Sequence, residues 1–270
     1  MTLRNQAVAG QFYPGSRNAL LREVESLIDS NAVKVRAIGA VSPHAGYVYS
    51  GAVAGRVLSM IEPKKTCIII GPNHTGMGSR FGLDTNSSWN TPLGDVEIDK
   101  AFAQALKRNT PLVQDDILSH MHEHSIEVQL PFLQVLDNDF RFVPITVSYA
   151  SLEEYREIGA AVALTAKGLA MERDIVIIAS SDMTHYETQE SAAKKDRAAI
   201  DALLALDEKG LLDAVAKLDI SMCGCAPAAI MLVASKALGA KEGRLVRYLT
   251  SGDTSGDYSS VVGYAGVIIT

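Results

Sequence analysis

Residues 67–76 read CIIIGPNHTG. Four apolar residues, Cys67 to Ile70, run into Gly71, Pro72 and Asn73, and a histidine follows. A short apolar run stopped by turn residues reads as a strand covered on both faces. His74 then stands on the loop that leaves the strand. Taken alone, such a histidine is an ordinary polar connector residue. Its meaning depends on what the other strand ends carry.

Five further runs share the pattern: AIGAVSP (37–43), RFVPITVS (141–148), DIVIIASS (174–181), RLVRYLTSG (244–252) and SVVGYAGVII (260–269). All are rich in Ile and Val without alternation, as expected of strands buried on both sides. Helical patterns lie between them at 51–61, 98–109, 151–169, 192–206 and 226–239. The third begins with Ser151 and Glu154 in capping-box spacing, and Gly239 closes the last as a C-cap. Strands alternating with helices predict an α/β fold, three layers around a largely parallel central sheet. Residues 1–270 read as a single domain, with no repeat, linker or low-complexity tract.

The 270 residues are 47% hydrophobic and 21% charged, an ordinary globular balance. With a net charge of −6 and no clustered Lys and Arg, nucleic acid and anionic membranes are poor partners. The opening residues lack the apolar core of a signal peptide, and no run approaches a membrane span. The three cysteines, Cys67, Cys223 and Cys225, do not make a disulfide framework. These features predict a cytoplasmic protein.

In parallel sheets, ligands gather beyond the carboxyl ends of the strands. His44 follows the first strand, His74 the second, and Asp182 and His185 the strand that ends near Ser180. Cys223 stands just ahead of a helix. Two imidazoles and an anionic ligand, with positions left open, suit a catalytic divalent metal. The pattern assigns His44, His74 and Cys223 as ligands and His185 as the proton carrier. Asp182 supports them or adds a further ligand. The remaining histidines lie in SHMHEHSIEVQLPFLQVL. His120 and His122 read as a polar loop, and a helix is expected from Ser125, kinked at Pro131. His124, Glu123 and Asn73 are candidates for contact with substrate or for support of the ligands, and Glu127 is a weaker one. The stretch TSGDTSGDYSS (250–260) is a rim loop or a plain turn. It lacks the lysine of a phosphate-binding loop, GPNHTGMGS is no dinucleotide fingerprint, and no nucleotide is expected.

In order along the chain, GQFYP, PHAGYVYSG, GPNHTG, TPLGDVEID, EHSIEVQLPFL, SSDMTH, MCG and SGDTSGDY resemble the Memo family. Its archaeal and bacterial members are called protein B of the AmmeMemoRadiSam system. The resemblance implies a fold similar to class III extradiol dioxygenases of the LigB type. Those enzymes hold non-haem iron through two histidines and a carboxylate and use a further histidine in acid–base chemistry. By that resemblance His44 and His74 are the imidazole ligands, Cys223 stands where the carboxylate would be, and His185 and Asp182 match the S-D-x-x-H motif. A thiolate in that place favours iron, copper or zinc over magnesium or calcium. The resemblance also implies protein partners of that system.

The expected function is a metal-dependent oxidoreductase acting on an unknown small molecule, with iron or copper as cofactor and zinc as an option. Two alternatives stay open: a zinc-dependent hydrolase, and a non-enzymatic binding module that retains the pocket.

Overall fold

The computed structural model describes residues 3–85 and 87–270. In chain order its elements are β1 (Leu3–Arg4), α1 (Arg17–Leu27), β2 (Gly39–Ser42), α2 (Tyr47–Ser59), β3 (Thr66–Pro72), β4 (Phe81–Leu83), β5 (Ser88–Thr91), β6 (Gly94–Glu97), α3 (Lys100–Asn109) and β7 (Gln114–Asp115). A 3-10 turn (Glu127–Gln129) runs into α4 (Leu130–Leu136). Then come β8 (Arg141–Val147), α5 (Leu152–Gly168), β9 (Ile175–Ser180), β10 (His185–Glu187), α6 (Gln189–Leu204), α7 (Glu208–Leu218), α8 (Cys225–Ala237), β11 (Gly243–Thr250), α9 (Gly252–Ser255) and β12 (Val261–Ile269).

The six apolar runs become β2, β3, β8, β9, β11 and β12. Every residue of β3 and β9 is buried, as strands packed on both faces require. These two sit centrally in a nine-stranded sheet ordered β10-β12-β2-β9-β3-β8-β4-β7, with β11 against β12. The centre, β2-β9-β3-β8, is parallel. The flanks are not: β12 runs antiparallel to β2, and β4 to β8, so the sheet as a whole is mixed. β11 pairs only with β12, and its half-exposed residues reflect an edge strand, not the doubly covered strand expected.

Helices cover both faces. Gly266 on β12 lies against Val53 and Val57 of α2, whereas Gly39 on β2 lies against Met231 and Ser235 of α8. Gly39 pairs with Ile269, three residues from Gly266, so these contacts are on opposite faces. α1 and α4 stand beside α2, while α5, α6 and α7 extend the α8 layer.

The local signals behave largely as read. Ser151 and Glu154 form the capping box of α5, and Gly239 takes φ +98° just past α8. Pro131 is a correction. It stands in the first turn of α4, where its missing N–H leaves no bond unmade, and it kinks nothing. α2 begins four residues earlier than its pattern suggested. The Tyr47 ring packs on Tyr13 and Phe132, and its hydroxyl donates to the Val128 carbonyl at 2.7 Å.

The segment around Arg4 is tied into the body by one buried ion pair. Arg4 donates to Glu127 at 2.6 Å, to the His120 carbonyl at 2.8 Å and to the Glu123 carbonyl at 2.6 Å. Glu127 also accepts from the Ala7 and Val8 N–H groups and from the Tyr13 hydroxyl. A buried pair whose remaining donors and acceptors are satisfied is one whose separation is strongly destabilising. Glu127 is therefore committed to the fold, not to a substrate.

His120 is fully buried, edge-on to Trp89, and neither ring nitrogen finds a hydrogen-bond partner among the described residues. Burial holds its pKa below the ordinary value, and the Arg4 charge adds to this against the opposing pull of Asp84 and Asp116. The neutral ring fits the fold, while the unfolded chain binds the proton first. Its contribution is thus full above the unfolded pKa of ~6.5 and is lost as pH falls below it. Urea unfolding should show stability declining from pH 7.5 to 5, and His120→Leu should flatten that decline. An equal slope in both proteins would assign the acid sensitivity to other groups.

Candidate metal centre

The parallel register sets one rim. Ser42 on β2 is level with Ser180 on β9, and Ile70 on β3 with Ala179. His44, Asp182 and His74 each follow two residues past the ends of those strands, at Ser42, Ser180 and Pro72. Cys223 arrives from the opposite side, on the turn before α8. Gly224 makes that approach possible: a Cβ there would lie 2.4 Å from the Ser180 carbonyl oxygen.

One nitrogen each of His44 and His74 and the sulfur of Cys223 lie within 4.8 Å of one another. His44 Nε2 is 3.2 Å from Cys223 Sγ. Bonds of about 2.0 Å to nitrogen and 2.3 Å to sulfur at tetrahedral angles separate donor atoms by roughly 3.5 Å. The His44–Cys223 separation is close to that value, and the whole group is compact enough for one ion.

The hydrogen bonds behind the donors decide where their lone pairs point. The Ser180 hydroxyl donates its only proton to the Ser125 carbonyl at 2.6 Å. Toward His44 Nδ1, 2.9 Å away, it can only accept, so Nδ1 carries the proton and Nε2 presents its lone pair to Cys223. Gln129 fixes this arrangement by donating to both Ser180 Oγ and the Pro43 carbonyl, at 2.9 Å each. His74 obeys the same rule. Its Nδ1 faces Glu123 Oε1 at 3.0 Å, which leaves Nε2 free. Such outer bonds orient metal-binding histidines and raise their basicity.

Glu123 is buried and also accepts the backbone N–H groups of His74 (2.6 Å), His124 (2.9 Å) and Ser125 (2.9 Å). Burial alone would raise its pKa. The hydrogen bond and charge of His74 and the Ser125 N–H outweigh burial and hold it at about 2. Burial lowers the pKa of His44, with the neighbouring His124 and His74 adding to the effect. Burial and the Asp182 charge raise that of Cys223. Without a metal the centre thus holds a neutral His44 and a thiol within reach of its Nε2.

The other candidates fall into place around this core. The Asp182 carboxylate accepts the His44 N–H at 2.8 Å, and its own N–H points to Cys223 Sγ at 3.4 Å, so it braces two donors. It does not orient His185. That ring is held by Ser221, whose hydroxyl accepts the His185 N–H at 2.7 Å and whose carbonyl accepts Nδ1–H at 3.0 Å. His185 is half-buried at the lip with Nε2 left to act as base. His124 stacks on His74 with ring centres 4.7 Å apart and stands edge-on to His44. Its Nδ1, with His74 and Glu123, forms a second close group. Glu123 already has its oxygens occupied by donors, so that group reads as a clamp. Asn73 uses its side chain within its own loop, accepting from Thr75 and Gly76 and donating to the Met77 carbonyl. Ser180, Gln129 and Ser221 escaped the sequence reading. They lie inside or beside the quoted motifs, but their partners are 36 to 136 residues away.

A cleft of about 960 Å³ lies at the amino-terminal ends of β3 and β8, away from the histidines, and includes Arg17, Lys65, Glu97 and Arg141 in its walls. No histidine or cysteine lines it, and Arg141 is ion-paired with Glu97. Size alone does not make it the chemical site.

Residues 4–268 match a family described as Memo-like protein. A MEMO1 family protein of Methanopyrus kandleri is 47% identical over 98% of this chain and 98% of its own length. One from Methanococcus maripaludis is 44% identical over 98% and 99%. One from Methanosarcina acetivorans is 44% identical over the full length of both.

Three outcomes follow from the geometry. Glu123→Gln places an amide opposite several donors and should weaken metal affinity by roughly 10–100-fold, read by competition with a chromophoric chelator. His74→Ala should lose tight binding with little change in stability, because that side chain is 34% exposed. His44→Ala should lose both, because His44 is 2% exposed and not the free loop residue that its sequence context suggested. An unchanged Tm in His44→Ala would refute this distinction.

Proposed function

The chain belongs to the Memo family, and on that premise we propose that it is a metal-dependent oxidoreductase acting on a small molecule. The observation that carries this reading is the set of three donors, one nitrogen each of His44 and His74 and the sulfur of Cys223, close together at the sheet rim. Two imidazoles and a thiolate suit copper(I), zinc or iron(II) better than magnesium or calcium. A redox-active metal held there would supply Lewis acidity and one-electron chemistry.

The chain's own residues have distinct tasks in this reading. His44, His74 and Cys223 hold the ion. Ser180, Glu123 and Asp182 fix their orientation. His185, with Nδ1–H engaged by Ser221, accepts or returns a proton at Nε2. Ser221 lies two residues before Cys223, so one short segment positions both the proton carrier and the thiolate.

A second reading, a binding module that keeps the pocket, draws on one feature. Val48, Tyr149 and Tyr186 stand 65%, 93% and 79% exposed on segments that follow carboxyl ends of the strands.

The deciding experiment is metal analysis of protein purified without chelator and without oxygen, beside His74→Ala. The expected result is near-stoichiometric iron or copper, lost in the variant. Zinc would move the reading to a hydrolase, and no uptake on titration would refute the centre. His185→Ala should retain metal at the affinity of the parent protein while losing turnover. Loss of metal in that variant would make His185 a ligand.

A further inference from the structure

Tyr264 is 2% exposed, yet no hydrogen bond of its hydroxyl occurs among the described residues. Buried tyrosines ordinarily find a partner for the O–H. The hydroxyl is not sealed either. The described buried polar atoms that lack both solvent and partner are the His120 ring nitrogens and Thr184 Oγ1. The phenol ring is packed away while its oxygen meets solvent.

The strand register says where. β12 runs antiparallel to β2, so its first residues lie at the rim that carries the metal centre. Gly263, next to Tyr264, accepts the Met183 N–H at 2.8 Å and donates to the Thr184 carbonyl at 2.9 Å. Asp182 and His185 flank those two residues, and His185 pairs with Val262. Tyr264, Val262 and Gly266 share one face of β12, the face covered by α2. On α2, Tyr49 stands one turn before Val53, which lies against Gly266, so Tyr49 and Tyr264 lie toward the same end of this interface. Tyr186, beside His185, holds φ +59°, a conformation rare for an aromatic residue and common at functional sites. Burial first, then the nearby Asp182, Tyr49 and Tyr186, raise the pKa of Tyr264, so it remains a neutral donor.

We infer that Tyr264 is a substrate-contacting residue, whose hydroxyl donates a hydrogen bond to an oxygen atom of a small oxygen-donor ligand bound at the metal centre. This rests on the metal-centre reading above and adds the ligand's chemistry to it. A hydroxyl that meets solvent, has no partner among the described residues and stands on the strand bonded to the Asp182–His185 segment is prearranged for an acceptor brought by the ligand, and an oxygen carrying negative charge answers it best.

The test uses the whole chain loaded with cobalt(II), whose visible spectrum reports its coordination. Acetohydroxamate serves as the oxygen-donor probe. Imidazole, which has no acceptor left once coordinated, serves as the control. Tyr264→Phe keeps the ring and removes only the unpartnered hydroxyl, so it should fold with an unchanged Tm. Acetohydroxamate affinity should fall roughly tenfold in the variant, while cobalt and imidazole affinities hold. Equal acetohydroxamate affinity in the two proteins, or no acetohydroxamate binding to the cobalt form, would overturn the inference and leave the metal centre standing. Loss of cobalt affinity, or failure of the variant to fold, would give the hydroxyl a structural task and overturn it too. A parent protein that takes up no cobalt would remove the metal centre and this inference together.

Discussion

Two buried carboxylates four residues apart, Glu123 and Glu127, join the parts of this molecule that matter for its chemistry. Glu127 gathers Arg4, Tyr13 and the Ala7 and Val8 N–H groups; Glu123 gathers the His74 ring and three backbone N–H groups. Each buried donor stripped of its acceptor costs about 1–3 kcal/mol. Neither carboxylate can be exchanged without releasing several donors at once. The segment between β7 and α4 has little regular structure of its own, yet it clamps the amino-terminal residues on one side and the His74 loop on the other.

The electrostatics of the rim follow from that clamp. Burial disfavours charge on His44 and His124, so these two imidazoles are neutral, the form in which His44 can hold a metal. The depressed carboxylate of Glu123 is in direct contact with His74 and fixes the tautomer from behind without competing for the front. Cys223 keeps its proton until a cation arrives, because burial and Asp182 both oppose the thiolate. Metal uptake and proton release are therefore coupled in this centre.

Much of this was legible along the chain. Undivided Ile/Val runs marked β3 and β9 because strands covered on both faces tolerate no polar alternation. The capping box at Ser151 and the glycine at 239 are local devices, and local devices can be read locally. α1 and α7 passed unread. α1 buries only Leu20 and Val24, and α7 only Glu208 and Leu211, so each turns a narrow strip of its surface to the core. Strand β11 has the composition of a doubly covered core strand, while its place at the sheet edge depends on a pairing partner.

What the sequence by itself determined was the α/β alternation, the histidines and cysteine at turn-bounded positions, and a family signature running nearly end to end. Only the tertiary structure decided that His44 is buried, that Ser221 and not Asp182 holds His185, and that Glu127 serves the fold. It also decided which nitrogen of each histidine faces the centre. The physical reason is range. A strand or a cap is set by neighbours within a few residues, whereas the proton on His44 Nδ1 is set by Ser180, Ser125 and Gln129, which lie far from it in the chain and meet only when the sheet assembles.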